Sequence, residues 1–448
     1  MKCSEIKFHV FVIVSFVLTC FLIGYPMAGS GWAEEKSPPT VEQLARGERG
    51  GWLPPSIEEL TQGKVKIGDL ITKDNVDLVK DYLTLSLYET IKKGMVLRMV
   101  KNLPPEKIVP RFYWEVSAAN QGKAVMDQNG TVRLADGKDW PGGLPFPDPK
   151  KPLEAMANVK FGRVTDDDYL PSNNCLYVGK DGNIEKTAIM SVWQVQAFGR
   201  LQCPPLGTIP GFENLQMKNI GVFSEPLEMK GLGQLSIRYY DEYKNPDEGF
   251  VYVSALRRVL RVSATTYQDN IGGMDSTYGD PQGLREPYAY WDFKSITKKF
   301  MLAPEPKNPF TFVNEDGKYN SQLEFDHGHS FIRYGWTVTP MTIVEAVPKI
   351  KHIYGKKVIY MPTPPYWAST TPIEMVDIYD RQGKLWKCYV TMRQSINAKG
   401  GEFGGAEGGM IMYDLQTGHA STIPRSYKTN VGTPMEELSL TKLLKSGR

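Results

Sequence analysis

The sequence predicts a mainly β protein with some helix (α+β): one large curved antiparallel sheet, with helices and long loops across its apolar face. Three observations lead there. Apolar and polar residues alternate through much of 175–262 and again within 342–392, the period of a strand with one buried face. Glycine (42) and proline (32) are abundant, which suits a loop-rich strand protein better than a helix bundle. Residues 74–94 carry a helical stripe that must pack on something larger.

The chain opens with Lys2 and Lys7 ahead of an apolar run at 10–24, and then Gly31-Trp32-Ala33, the pattern of a secretory leader. Cleavage is expected after Ala33, delivering 34–448 to the periplasm as a single large domain. Its residues 34–150 read as a helical and loop-rich lead-in with the first strands, and 151–448 as the main sheet and its covering loops. The apolar run is shorter than the roughly 20 residues of a spanning helix. Thr19 before Cys20 departs from a lipidation box, so no lipid anchor is expected. Cys175, Cys203 and Cys388 remain after cleavage; the first two could pair, but three cysteines without a CxxC make neither a disulfide framework nor a zinc site.

Residues 34–56 read as an extended lead-in. A helix is predicted from a cap at Asp74 or Asn75, through Val76, Val79, Leu83, Leu87 and Ile91, to Gly94. Residues 140–149, with four prolines and two glycines, form a stiff connector or a lip over a pocket. Trp193, Val195 and Ala197 then alternate with Gln194 and Gln196, and Leu235, Ile237 and Tyr239 with Ser236, Arg238 and Tyr240; Asp181-Gly182-Asn183 makes a hairpin turn. Further strands are predicted at 342–347, 357–361, 374–379 and 385–392, with Asp380-Arg381-Gln382-Gly383 turning between the last two. Residues 269–309 read as a long covering loop with short helical pieces, and the glycine cluster at 400–409 as a flexible loop.

A 41% hydrophobic chain is not disordered, and a net charge of +3 excludes a dedicated nucleic-acid binder. GxSxG, HExxH, Walker A and EF-hand patterns are all missing, so no catalytic residue is assigned and no cofactor is expected. His327 and His329 are weak metal candidates that serve equally well as a surface loop. Asp166-Asp167-Asp168 reads as a solvated turn. Glu345 sits in an apolar run and needs a cation if it faces inward; Arg257, Arg258 and Arg261 are the candidates, and an outward Glu345 is the alternative.

Four strings occur in order: Gly142-Gly143-Leu144-Pro145-Phe146-Pro147, the segment 252–261, Val344-Glu345-Ala346, and the segment 379–386. Together they resemble a proteobacterial periplasmic family, a domain of unknown function labelled outer-membrane lipoprotein-sorting protein. The resemblance implies an open half-barrel whose concave face is covered by helices, similar to lipoprotein carriers and receptors. It implies a carrier of a lipid, acyl chain or other hydrophobic ligand in lipoprotein or lipid trafficking. Its expected partners are that ligand or an acylated protein, envelope transport proteins, and peripherally the membrane. In such a half-barrel Trp193, Val195, Leu235, Ile237, Leu260 and Val262 are expected to line the ligand space, with Gly142, Gly143, Pro145 and Phe146, or the 269–309 loop, as lid. The alternatives are a hydrolytic envelope enzyme centred on His327 and His329, and a docking subunit of a transport complex.

Overall fold

Buried side chains fall on both faces of the strands: Cys388 and Val390 point one way and Tyr389 the other, and none is more than 2% exposed. The expectation of one wet face is thereby corrected. The computed structural model describes residues 37–262, 264–307, 311–321, 334–367, 372–398 and 401–446. The leader with its expected cleavage site, and His327 and His329, lie outside the described residues.

The strands are β1 (Leu70–Ile71), β2 (Leu97–Met99), β3 (Val125–Met126), β4 (Val132–Arg133), β5 (Asp167–Val178), β6 (Ile184–Gln196), β7 (Leu215–Glu225), β8 (Gly233–Tyr239), β9 (Glu248–Val253), β10 (Arg258–Val262), β11 (Trp291–Pro304), β12 (Gly335–Pro348), β13 (Tyr354–Pro362), β14 (Met375–Asp380), β15 (Leu385–Ala398), β16 (Gly401–Asp414) and β17 (Ala420–Thr429). All but β3 and β4 join one sheet, ordered β1-β2-β12-β13-β14-β15-β16-β17-β5-β6-β7-β8-β9-β10, with β11 also on β12. Two antiparallel meanders, β11–β17 and β5–β10, meet where β17 runs against β5, with Arg425 opposite Asn173. The sheet does not close into a barrel, and the parallel pairing of β2 with β12 makes it mixed. The predicted turn between β14 and β15 is present: Gly383, at φ +79°, donates its N–H to the Asp380 carbonyl at 3.0 Å.

Helices α1 (Val41–Ala45), α2 (Ile57–Leu60), α3 (Leu85–Lys92), α4 (Arg111–Asn120), α5 (Pro152–Phe161) and α6 (Leu440–Ser446) cover the sheet. One face, with Val344, Ile359, Val376 and Met410, packs against α1, α4, α5 and residues 271–291. The other face is covered by α3 and its neighbours at one end and by α6 at the other.

Four predicted elements change. The lead-in at 34–56, expected to be extended, contains α1, which a Thr40–Gln43 capping box opens and which buries Val41 and Leu44. The helix at 74–94 is split into a 3-10 turn, Val76–Tyr82, and α3, because the Thr84 hydroxyl accepts the Leu87 N–H (3.1 Å) and restarts the helix. Asp377 of β14 accepts the Leu85 and Ser86 N–H groups (3.2 and 3.0 Å) and ties that new N-terminus to the sheet. The second half of the 269–309 loop is β11, whose alternation is hidden by a bulge between Phe293 and Ser295 and by lysines on its exposed stretch. The glycine cluster runs as β16: a Cβ at Gly408 would stand 2.7 Å from the Phe312 ring, so the glycine permits close approach within the sheet.

Candidate functional site

Across β5, β6, β7 and β8 the residues Leu170, Val192, Gly221 and Gln234 stand opposite one another in a row, and Asp168, Gln194, Asn219 and Ser236 form the next row on the same face. Gly221 leaves a gap there; a Cβ added to it would meet only Met190 Sδ at 3.4 Å, Val192 Cγ2 at 3.7 Å and the Ser191 carbonyl at 4.0 Å. The gap is part of a partly enclosed cavity of about 110 Å³. Met410 and Ile423 of the other meander close one side, and Ile271, Met274, Tyr278 and Pro281 lie over the top. A single water-sized group needs about 10–15 Å³ by this measure, so the cavity has room for several.

The roof segment is held down at several points. The Tyr177 hydroxyl donates to the Gly272 carbonyl (2.7 Å), and the Asp275 N–H to Ser421 Oγ (2.8 Å). Asp280 receives Lys357 Nζ (2.9 Å), the Tyr354 hydroxyl (2.7 Å) and the Thr277 N–H (2.8 Å), all buried. Glu286 accepts the Trp291 indole N–H (3.0 Å) and His352 Nε2–H (3.0 Å); the proton is on Nε2 because Nδ1 accepts the Tyr354 N–H (2.9 Å). The part of the expected lid that covers the cavity is therefore an anchored roof.

The residues expected to line the ligand space lie elsewhere. Trp193, Val195, Leu235 and Ile237 point to the opposite face and pack with Met435, Leu438 and Leu443 beneath and beside α6. Leu260 is 44% exposed on β10, and Val262 borders a separate space of about 20 Å³. The alternation is present, and the amide-bearing face that resembles a wet one is buried under the roof. Gly142, Gly143, Pro145 and Phe146 are not a lid over this cavity. They pack against α4, α5 and the 199–201 turn, where the Trp140 indole donates to the Gly143 carbonyl (2.9 Å) and the Phe146 N–H to Asn158 Oδ1 (3.0 Å).

The proposed buried ion pair is also corrected. Glu345 reaches Lys356 of β13 at 3.2 Å, each about a third exposed, so it is the outward reading that holds. Arg261 donates to Glu248 (3.3 Å) on the far edge of the sheet, and Arg257 and Arg258 are exposed. Asp166, Asp167 and Asp168 are buried rather than solvated: Asp166 accepts the N–H groups of Leu201, Gln202 and Cys203, Asp167 pairs with Arg200 (2.6 Å), and Asp168 with Arg163 (2.6 Å). Gln194 reads from the sequence only as the polar side of its strand, and Asn219 carries no signal there; the two amides are directly paired across β6 and β7.

His419 Nδ1 and the Ser421 hydroxyl both address Asp275 Oδ2 (2.7 and 2.8 Å), so the imidazole is not placed as a base for that serine. Among the described residues no group of three or more His, Cys, Asp or Glu could hold a metal ion, and no helix is long and apolar enough to cross a membrane. Cys175, Cys203 and Cys388 are free and buried, and burial pushes their thiols up to about 12, 11 and 12. Since the thiolate is the reactive form, a disulfide reagent at pH 8 is expected to leave all three unmodified in the native protein and to modify them in denaturant; rapid native labelling would contradict this burial.

The sequence model of a family described as protein of unknown function, DUF1329, matches residues 70–439, a span that includes all four motifs. No curated protein matches the chain. Solved structures similar to it include a domain provisionally described as an outer membrane lipoprotein-sorting protein from Vibrio parahaemolyticus, with 16% identity, TM-score 0.41, and 62% of this chain and 92% of that one covered. A DUF1329 family protein from Desulfovibrio piger shows 16% identity, TM-score 0.40 and the same coverage. A LolA superfamily protein from Nitrosomonas europaea shows 13% identity and TM-score 0.34, with 64% and 94% covered.

Proposed function

We propose, for a chain that belongs to the DUF1329 family of proteins of unknown function, a non-enzymatic role as a periplasmic carrier of a hydrophobic ligand. The observation that supports this is the cavity at the junction of the two meanders, with Leu170, Met190, Val192, Phe223, Ile271 and Met274 in its walls. Such a space gains from any apolar chain that enters it, about 0.8 kcal/mol for each methylene removed from water. The volume suits a lipid's acyl segment or a small apolar molecule rather than a whole lipid. The acyl end of a lipidated protein is the same ligand in another form, and delivery would pass it to envelope transport proteins.

Isothermal titration with octan-1-ol tests the reading. Saturable binding at one site with a negative heat-capacity change is expected, the mark of apolar burial. Failure of eight-carbon alcohols, acids and alkanes alike to bind would refute it.

A further inference from the structure

Among the described residues, one cation in the cavity wall, Arg285, has no ion-pair partner, and the carboxylate acting on it, Asp247, is committed to Arg238. Arg285 lies in the roof and is half-buried; its Nη2 is closed to solvent and has no hydrogen-bond partner, and among the described residues no carboxylate oxygen pairs with its guanidinium. The charges around it are already matched. Arg163 pairs with Asp168 (2.6 Å) and Lys160 with Glu242 (3.3 Å). Arg238 pairs with Asp247 (2.9 Å), which also accepts the Tyr267 hydroxyl (2.9 Å). On the opposite wall Arg425 holds Glu407. Burial, and then the nearby Arg238, bring Arg285 down to about 10, which still leaves it charged at neutral pH.

A buried charge without a partner is costly, and the cost disappears when an anion arrives. The other unpartnered polar atoms in the wall point the same way. Asn219 Nδ2 and Arg425 Nε can only donate and Ser276 Oγ can donate; the acceptors among them are Asn173 Oδ1 and Glu407 Oε1, and the latter is ion-paired to Arg425. We propose that this cavity takes a monoanionic amphiphile, its carboxylate head on Arg285 and its chain among Leu170, Met190, Val192 and Phe223. The inference rests on the carrier reading and names its ligand class. A carboxylate fits better than a phosphate monoester because Arg285 supplies one unpaired positive charge, and the other cation of the wall, Arg425, is committed to Glu407 and leaves a second negative charge unmatched.

The test compares octanoate, octan-1-ol and octyl phosphate at pH 8 on the wild-type protein and on Arg285→Met and Arg285→Lys. Octanoate is expected to bind wild type about tenfold to a hundredfold more tightly than the alcohol, the scale of a buried charge-assisted hydrogen bond. Arg285→Met should lose that preference and keep alcohol binding, while Arg285→Lys keeps part of it. Equal affinities for acid and alcohol in wild type, which needs no variant to fold, would overturn the anion site and leave an apolar carrier. A preference that survives in Arg285→Met would do the same, and octyl phosphate binding above octanoate would overturn the carboxylate. If none of the three binds, the carrier reading falls and this inference with it.

Discussion

Replacing Lys357 with methionine is expected to destabilise the protein by about 3–5 kcal/mol, the cost of stranding one member of a buried ion pair. Lys357 is 0% exposed and Asp280 1%, and their contact joins the roof to β13. Burial alone would raise the Asp280 carboxyl, but Lys357 and then Lys387 outweigh it and hold the group below its ordinary value. With the folded pKa depressed, Asp280 contributes stability that is present above the unfolded value of about 3.9 and lost as pH falls through the folded one. In Lys357→Met the largest opposing influence is gone, burial raises the carboxyl, and the sign reverses: mild acid should partly restore stability. The Lys357→Met/Asp280→Asn double variant should recover much of the loss. Urea midpoints at pH 5 and pH 7.5 decide this; an unchanged midpoint in the single variant would show that the pair does not hold the roof.

Gly221→Leu is expected to weaken ligand binding at least about tenfold, because the new four-carbon side chain projects into a cavity of about 110 Å³ and takes much of its space. Its Cβ is accommodated, with the nearest neighbour 3.4 Å away. The fold should survive, with an overpacking cost of about 1–3 kcal/mol at most. Leu235→Ala is the counterpart on the other face. Leu235 is 1% exposed in the cluster beneath α6, so truncation should cost about 2–5 kcal/mol while octan-1-ol affinity stays the same. Calorimetry and urea unfolding on both variants separate the two faces; if Leu235→Ala loses ligand and Gly221→Leu keeps it, the cavity has been placed on the wrong side.

Strands were legible wherever the alternation was uninterrupted, as at β12 to β15 and in the 181–183 hairpin. They were hidden where another requirement took precedence: the bulge in β11, and the close approach that calls for Gly408 in β16. The face that carries the cavity was hidden for a different reason. A sheet covered on both sides buries polar residues as well as apolar ones, and Gln194, Asn219 and Gln234 carry the composition of a solvated face. The usable signal was an amide at matching positions of adjacent strands, which becomes visible only once register is known. Arg285 gave no local signal, since its isolation is a property of the packing around it.

Native mass spectrometry of the protein purified from a periplasm, followed by organic extraction of whatever is bound, tests the carrier reading most directly. Wild type should carry a stoichiometric small amphiphile that is missing from Gly221→Leu prepared in the same way. A wild-type protein with a clean apo mass, or a bound molecule that the filled cavity does not expel, would contradict it.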